Sequence, residues 1–229
     1  MTITRKILEF SGDRTAALVE ETIPGPGNGH LLVESEWSAI SAGTELLVYR
    51  GELPEELALD DTFSALAASS SYPVRYGYSL VGRVSRVGEG LDRSWIGRRV
   101  FCFHPHADRV VVSAADVFPL PDDIPPVAAT MLPSAETAVN VLLDGAPLIG
   151  ERIALFGLGV VGTFTAMLLS RMSPERLFAY DPSGFRRRLV AALVPEARCT
   201  HPREARPPIG LPTVVTRGNG TPGSIWCTN

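Results

Sequence analysis

The sequence predicts an α/β chain with a β-rich N-terminal part, followed by an alternating α/β segment that begins a parallel sheet. Three observations carry this. Over residues 1–112, short apolar runs are separated by Gly, Pro and Asn turns. From Pro125 onward the apolar period lengthens to that of helices. Residues 152–156, R-I-A-L-F, then form an apolar run that stops on Gly157, Gly159 and Gly162.

The predicted strands lie at 5–10, 16–23, 31–40, 80–87, 99–103 and 109–112. Each is bounded by turn residues, such as the P-G-P-G-N-G cluster at 24–29, and regular spacing of short strands predicts a small barrel or sandwich. Residues 54–71 interrupt the pattern and read as a short helix with a polar loop, either a lid or an insertion. Helices are predicted at 125–132 and 134–144, with Ser134 as N-cap and Glu136 in the first turn of the second. The predicted organisation is a β-rich domain over 1–124, a helical bridge over 125–150 and an α/β domain over 151–229.

The glycine-bearing turn is the most specific local signal. Gly157 suits the tight turn out of the strand. Gly159, lacking a Cβ, lets an anion approach the backbone, and Gly162 lets the following helix pack close to the strand. Residues 161–172 read as an apolar helix, with Val161, Phe164 and Leu168 predicted on its buried face and its end near Ser173-Pro174. The first-turn N–H groups of Val160, Val161 and Gly162 and the helix dipole favour a phosphate. A second apolar run, 177–180, delivers Asp181 nineteen residues after Gly162, placed to accept from both ribose hydroxyls of a dinucleotide. The alternative is an ordinary glycine-rich turn. Asp181 predicts NAD over NADP, because a 2′-phosphate would meet a carboxylate. Arg186, with Arg187 and Arg188, either binds that phosphate or forms a solvated helix face.

Composition narrows the classes. The 229 residues are 45% apolar with a formal charge of −4, which gives no electrostatic footprint for nucleic acid. No apolar run approaches a membrane span, and the N-terminus lacks a secretory apolar core. Cys102, Cys199 and Cys227 are widely spaced and form neither a disulfide framework nor a metal knuckle, which fits a reducing cytoplasm. Beyond residue 202 the chain is rich in Pro and Gly, with 213–215 a candidate third strand of the α/β sheet. So short a sheet leaves an edge open, which predicts a covering partner such as a second copy of the chain, a truncation, or a tail outside the native reading frame.

With these motifs in place, the chain resembles the medium-chain dehydrogenase/reductase superfamily. The resemblance rests on I-S-A-G-T-E (40–45), G-Y-S-L-V-G-R-V-S-R-V-G (77–88), I-G-R-R-V (96–100), P-L-P-D-D-I-P (119–125) and the run from Leu148 through Gly162, and covers residues 1 to about 200. It implies a GroES-like β-barrel catalytic domain followed by a Rossmann domain, here partial and C-terminally truncated. It implies a nicotinamide cofactor, NAD or NADP, and a small-molecule substrate. The superfamily's three zinc-ligand positions match Ala42, Tyr78 and Pro133, none of which ligates zinc in the usual way, and the four-cysteine structural lobe is missing. A zinc-independent site is therefore expected. A different metal set, His104, His106 and Asp108 with Cys102 nearby, competes with a plain polar loop.

The candidate catalytic residues carry alternatives. Thr44 matches the superfamily's proton-relay hydroxyl or caps a helix over 45–51. Tyr78 supplies a proton or packs as an aromatic. Glu45 is a base or the partner of an arginine, and His106 an acid/base or a loop residue. Thr137 matches a position facing the nicotinamide or is an ordinary helix residue. The predicted activity is hydride transfer between a nicotinamide and a carbonyl, alcohol or activated alkene. The rival class is a non-catalytic dinucleotide-binding protein or an inactive fragment.

Overall fold

A computed structural model describes residues 2–52 and 72–204, and the backbone of 213–215. The short helix and polar loop predicted over 54–71 and most of the tail lie outside the described residues. The chain divides into two compact units, Met1–Pro133 and Ser134–Asn229.

In the first unit, β1 (Thr2–Phe10) and β2 (Ala16–Pro24) form an antiparallel hairpin in register from Thr2↔Pro24 to Phe10↔Ala16. The Asp13 carboxylate shapes the turn by accepting from the Thr15 N–H at 3.1 Å. A five-stranded antiparallel sheet follows. It contains β3 (His30–Ser38), β4 (Leu80–Val87), β5 (Arg99–Cys102), β6 (Arg109–Ser113) and β7 (Val117–Pro119), in the order β6-β3-β4-β5-β7. Leu31, Val33, Leu80, Val84, Val100, Val110 and Val112 alternate onto one face and pack with Ile7 of the hairpin. Val81 and Phe101 point the other way, against Ala129. Burial on both faces explains why β4 reads as nearly continuous apolar sequence around Leu80–Val84. The sequence reading missed β7, a three-residue strand that begins just after a single helical turn and ends on a proline.

Helix α1 (Thr44–Arg50) closes on Gly51 in the left-handed conformation. Its N-cap is Gly43, without a side-chain cap bond, so Thr44 is the first helical residue rather than the cap. The predicted bridge helices shift as well. α2 (Pro126–Ala129) is one turn long, and α3 (Leu132–Gly145) already contains Ser134 and Glu136 in its body. Pro133 does not delay the start, because a first-turn proline lacks only an N–H that has no intrahelical partner.

The second unit holds β8 (Arg152–Phe156), α4 (Val160–Ser170), β9 (Arg176–Tyr180), α5 (Gly184–Leu193), β10 (Arg198–Thr200) and β11 (Thr213–Val215). The sheet is parallel, in the order β10-β9-β8-β11. Thr213–Val215 is a strand as expected. β10 was not foreseen, since R-C-T shows neither alternation nor an apolar run. α4 buries Gly162, Thr165, Ala166 and Leu169, one position on from the predicted Val161, Phe164 and Leu168 face. The hydroxyl of Thr165 makes this possible by donating to the Val161 carbonyl at 2.9 Å, which removes the penalty for burying it.

Candidate functional site

The second unit presents the glycine turn. β8 ends at Phe156, and Gly157 follows with φ +91°, its N–H donating to the Tyr180 carbonyl at 2.8 Å. Phe156 and Tyr180, at the ends of adjacent strands, stack with centroids 4.7 Å apart. Gly159 caps α4 without a side-chain bond, and a Cβ built there meets nothing within 4 Å. The first turn of α4 thus opens onto free space, with Val160 51% exposed and Val161 half-buried. Such a space, ringed by backbone N–H groups at a helix N-terminus, fits an anionic group such as a pyrophosphate.

Asp181 stands at the end of β9, only 1% exposed. One carboxylate oxygen accepts the Leu158 N–H at 2.8 Å and the other accepts the Ser183 N–H at 2.7 Å. The acid therefore ties the glycine turn to the loop before α5, a role the spacing alone did not reveal. Arg186 comes within 3.5 Å of the same carboxylate while its side chain stays 48% exposed. Arg187 donates to the carbonyls of Asp181 and Pro182 at 2.6 and 3.0 Å. Thr137 is an exposed residue of α3.

The first unit gathers a different cluster. Glu45, in the first turn of α1, is 2% exposed, and His106 is 8% exposed. His106 Nε2 lies 2.7 Å from Glu45 Oε2. Glu45 Oε1 accepts the Ser41 N–H at 2.8 Å, and Ser41 returns its carbonyl to the Glu45 N–H at 3.1 Å. On the far side of the ring, His106 Nδ1 contacts Ser38 Oγ. Ser38 in turn reaches the Ser79 carbonyl at 3.0 Å, and Ser79 donates to the Thr130 carbonyl at 2.8 Å. The partner of Glu45 is thus a histidine, not an arginine. Ser38 was not foreseen. Its position at the end of β3, where the predicted strand 31–40 turns away, was the signal available.

Gly77 seats the ring. Its φ is +136°, and a Cβ there would lie 2.6 Å from His106 Nε2. Next to it, Tyr78 is half-buried and packs edge-on against Tyr76, with centroids 6.0 Å apart. Thr44 is half-buried.

The alternative metal set does not converge. His104 Nδ1 bonds the Pro105 carbonyl at 2.7 Å, and burial pushes the ring down to a pKa of about 4. Asp108 is exposed and accepts the Lys6 N–H at 2.7 Å. Cys102 is buried, and its thiol is pushed up to about 12. The chain bends at His106, so the two rings take separate hydrogen-bond partners: the Pro105 carbonyl for His104 and the Glu45 carboxylate for His106. Among the described residues no group of three or more His, Cys, Asp and Glu side chains is placed to hold a metal ion. A cavity of about 610 Å³ opens among Arg5, Asn28, His30, His104 and Ser113, and none of Thr44, Glu45, Tyr78 or His106 lines it.

Comparison with known proteins gives a consistent set. No family model matches the chain. The L-threonine 3-dehydrogenase of Xanthomonas campestris pv. campestris (strain B100) is 25% identical over 206 residues, spanning 77% of this chain and 57% of that protein. The chain therefore covers little more than half the length of that curated relative. Among solved structures, 2R,3R-butanediol dehydrogenase from Bacillus subtilis matches with a TM-score of 0.73 at 19% identity, covering 89% of this chain and 65% of the other. The CAD of Helicobacter pylori, complexed with NADP(H), matches with a TM-score of 0.74 at 15% identity, covering 95% and 70%. These likenesses extend over most of both units and show the fold. No helix among the described residues is long and apolar enough to cross a membrane.

Proposed function

We propose that this chain, which belongs to the medium-chain dehydrogenase/reductase superfamily, is a zinc-independent oxidoreductase acting on a small carbonyl, alcohol or activated alkene with a nicotinamide dinucleotide. The observation that carries the reading is the open turn at Gly159, set between a positive-φ Gly157 and the N-terminus of α4. When bound, the dinucleotide donates or accepts the hydride. The N–H groups of Val160, Val161 and Gly162 hold its pyrophosphate, while Asp181 and Arg186 meet the adenosine ribose. A carboxylate fixed by two backbone N–H bonds favours the free ribose hydroxyls of NAD, and Arg186 offsets part of that preference toward NADP. Thr137 is assigned to the nicotinamide side.

Zinc independence is supported by the chemistry at the ligand positions, since Ala42 and Pro133 offer no side-chain donor atom and Tyr78 only a phenol. In place of a metal, Thr44, Tyr78, Glu45 and His106 supply the hydroxyl, phenol, carboxylate and imidazole groups that polarise an oxygen or move a proton.

The first test is enhancement of NADH fluorescence by wild type and by Gly159→Asp, which fills the cradle with a carboxylate. Saturable binding lost in the variant supports the reading, and equal binding by both refutes the assigned cradle. Turnover across a panel of ketones, aldehydes, quinones and enones then separates an enzyme from a dinucleotide-binding protein. Near-stoichiometric zinc in the purified protein would overturn the metal-free assignment.

A further inference from the structure

We propose that Ser38 is the proton-transferring hydroxyl of this site, with His106 and Glu45 behind it as the pair that loads and unloads its proton. The inference rests on the oxidoreductase reading above. It adds a residue to that reading and narrows the substrate to a ketone/secondary alcohol or aldehyde/primary alcohol couple.

The hydrogen-bond arithmetic directs the relay. Ser38 is an exposed residue at the end of β3, whereas His106 and Glu45 are buried. The single hydroxyl hydrogen of Ser38 can point to the Ser79 carbonyl, 3.0 Å away, which leaves Oγ as an acceptor for His106 Nδ1–H. At the other nitrogen, Nε2–H points to a Glu45 carboxylate oxygen at 2.7 Å, whose second oxygen is held by the Ser41 N–H. The proposed relay starts from a proton on each ring nitrogen, with the Glu45 carboxylate as partner to Nε2 in a buried, hydrogen-bonded pair. Gly77 leaves room for the ring at this spot, since a Cβ there would lie 2.6 Å from Nε2.

During reduction, a bound dinucleotide would supply the hydride to the carbonyl carbon, and the C=O π pair would move to oxygen. That oxygen takes the Ser38 hydroxyl hydrogen, and Ser38 takes the Nδ1 proton of His106. The ring is left neutral, with Nε2–H still on Glu45, and Glu45 remains a carboxylate throughout. Solvent returns one proton to Nδ1 through the exposed Ser38. Oxidation runs the same transfers in reverse, and the net stoichiometry is one hydride and one proton per carbonyl. A relay that ends on a hydroxyl suits transfer between two oxygens. Reduction of an alkene instead requires a proton delivered to carbon. Ser38 is the catalytic residue, and His106 and Glu45 are positioning residues acting through it.

The test uses the full chain. With an active carbonyl substrate, Ser38→Ala should lower kcat by about 10²- to 10⁴-fold, the usual share of general acid–base catalysis. Its dinucleotide KM should not change, and Ser38→Thr, which keeps the hydroxyl, should recover most of the rate. The solvent deuterium isotope effect on kcat should disappear in Ser38→Ala. In protein free of dinucleotide and labelled with ¹⁵N-histidine, the ring signals of one buried histidine should move in both Ser38→Ala and Glu45→Gln and vanish in His106→Gln. Ring signals that move in neither variant overturn the relay. So does turnover by Ser38→Ala at the wild-type kcat, with the oxidoreductase reading left standing. A wild type that binds NADH but turns over no carbonyl removes that reading and the relay with it. Loss of rate at Thr44→Val alone, with Ser38→Ala unaffected, assigns the hydroxyl to Thr44 instead.

Discussion

Substituting Gly77 by alanine tests whether the His106 ring is held where the structure places it. Two separate costs arise. At φ +136° an L-residue is strained, which costs about 1–3 kcal/mol. The new Cβ would also sit 2.6 Å from Nε2 and 2.7 Å from Cδ2 of His106, so the ring must move off the Glu45 carboxylate. Breaking a buried charge pair by removing one partner costs about 3–5 kcal/mol. The expected loss is therefore about 4 kcal/mol or more. Gly97→Ala is the control, since Gly97 also has positive φ, +84°, but a Cβ there meets nothing within 4 Å. It should cost about 1–2 kcal/mol, the strain of the left-handed conformation alone. The decisive measurement is a double-mutant cycle by urea denaturation, followed by tryptophan fluorescence, because Trp37 and Trp95 lie in the same unit as Gly77. In a His106→Ala background the clash has no target. There Gly77→Ala should fall to its strain cost, giving a coupling of about 3–5 kcal/mol. An equal cost of Gly77→Ala in both backgrounds would refute the seating of the ring.

Three further outcomes are expected. Gly159→Ala has ordinary φ and open space, so its stability should stay within about 0.5 kcal/mol of wild type, while dinucleotide affinity, read by NADH fluorescence, falls at least about tenfold. Asp181→Ala should lower both stability, by about 1–3 kcal/mol, and affinity, because the Leu158 and Ser183 N–H groups lose their acceptor; a purely cofactor-facing acid would leave the denaturation midpoint unchanged. His104 has its pKa lowered by burial to about 4 from 6.5, so its contribution is complete above pH 6.5 and is lost as pH falls toward 4. Denaturation midpoints should drop across that window, with about 1.4 kcal/mol per pH unit assignable to His104, and His104→Gln should flatten that slope.

The parts of the fold that were legible in the sequence are those where one physical demand dominates. The glycine turn needs φ > 0 at Gly157 and bare backbone at Gly159, and both demands show as residue type and spacing. The strands of the first unit carry a buried face, so their alternation is visible. β10 was not legible because three residues cannot display a period, and it is fixed by pairing with β9 rather than by its own side chains. The buried face of α4 slipped by one position because Thr165 is polar by composition yet satisfied by the backbone beneath it. The Glu45–His106 contact joins residues 61 apart, one in α1 and one in the loop after β5, and no local pattern encodes it. What the sequence did carry was the coincidence of an acid in α1, a glycine at 77 and a histidine-bearing loop after β5.

That coincidence bears on the metal-free proposal. A carboxylate that is 2% exposed needs a countercharge or a full set of donors, because an isolated buried charge is too costly to keep. Glu45 has one backbone N–H from Ser41, which satisfies one oxygen and leaves the other to be answered by a side chain. The residues at the three resemblance-derived ligand positions, Ala42, Tyr78 and Pro133, bring no thiolate, imidazole or acid to build a cation site beside it. His106 answers the second oxygen directly, at 2.7 Å, from a loop that could have been any polar turn. Under the zinc-independent reading, the same pairing that balances Glu45 also places the far ring nitrogen against an exposed hydroxyl. The countercharge is then a proton rather than a metal, and a proton can move out through Ser38.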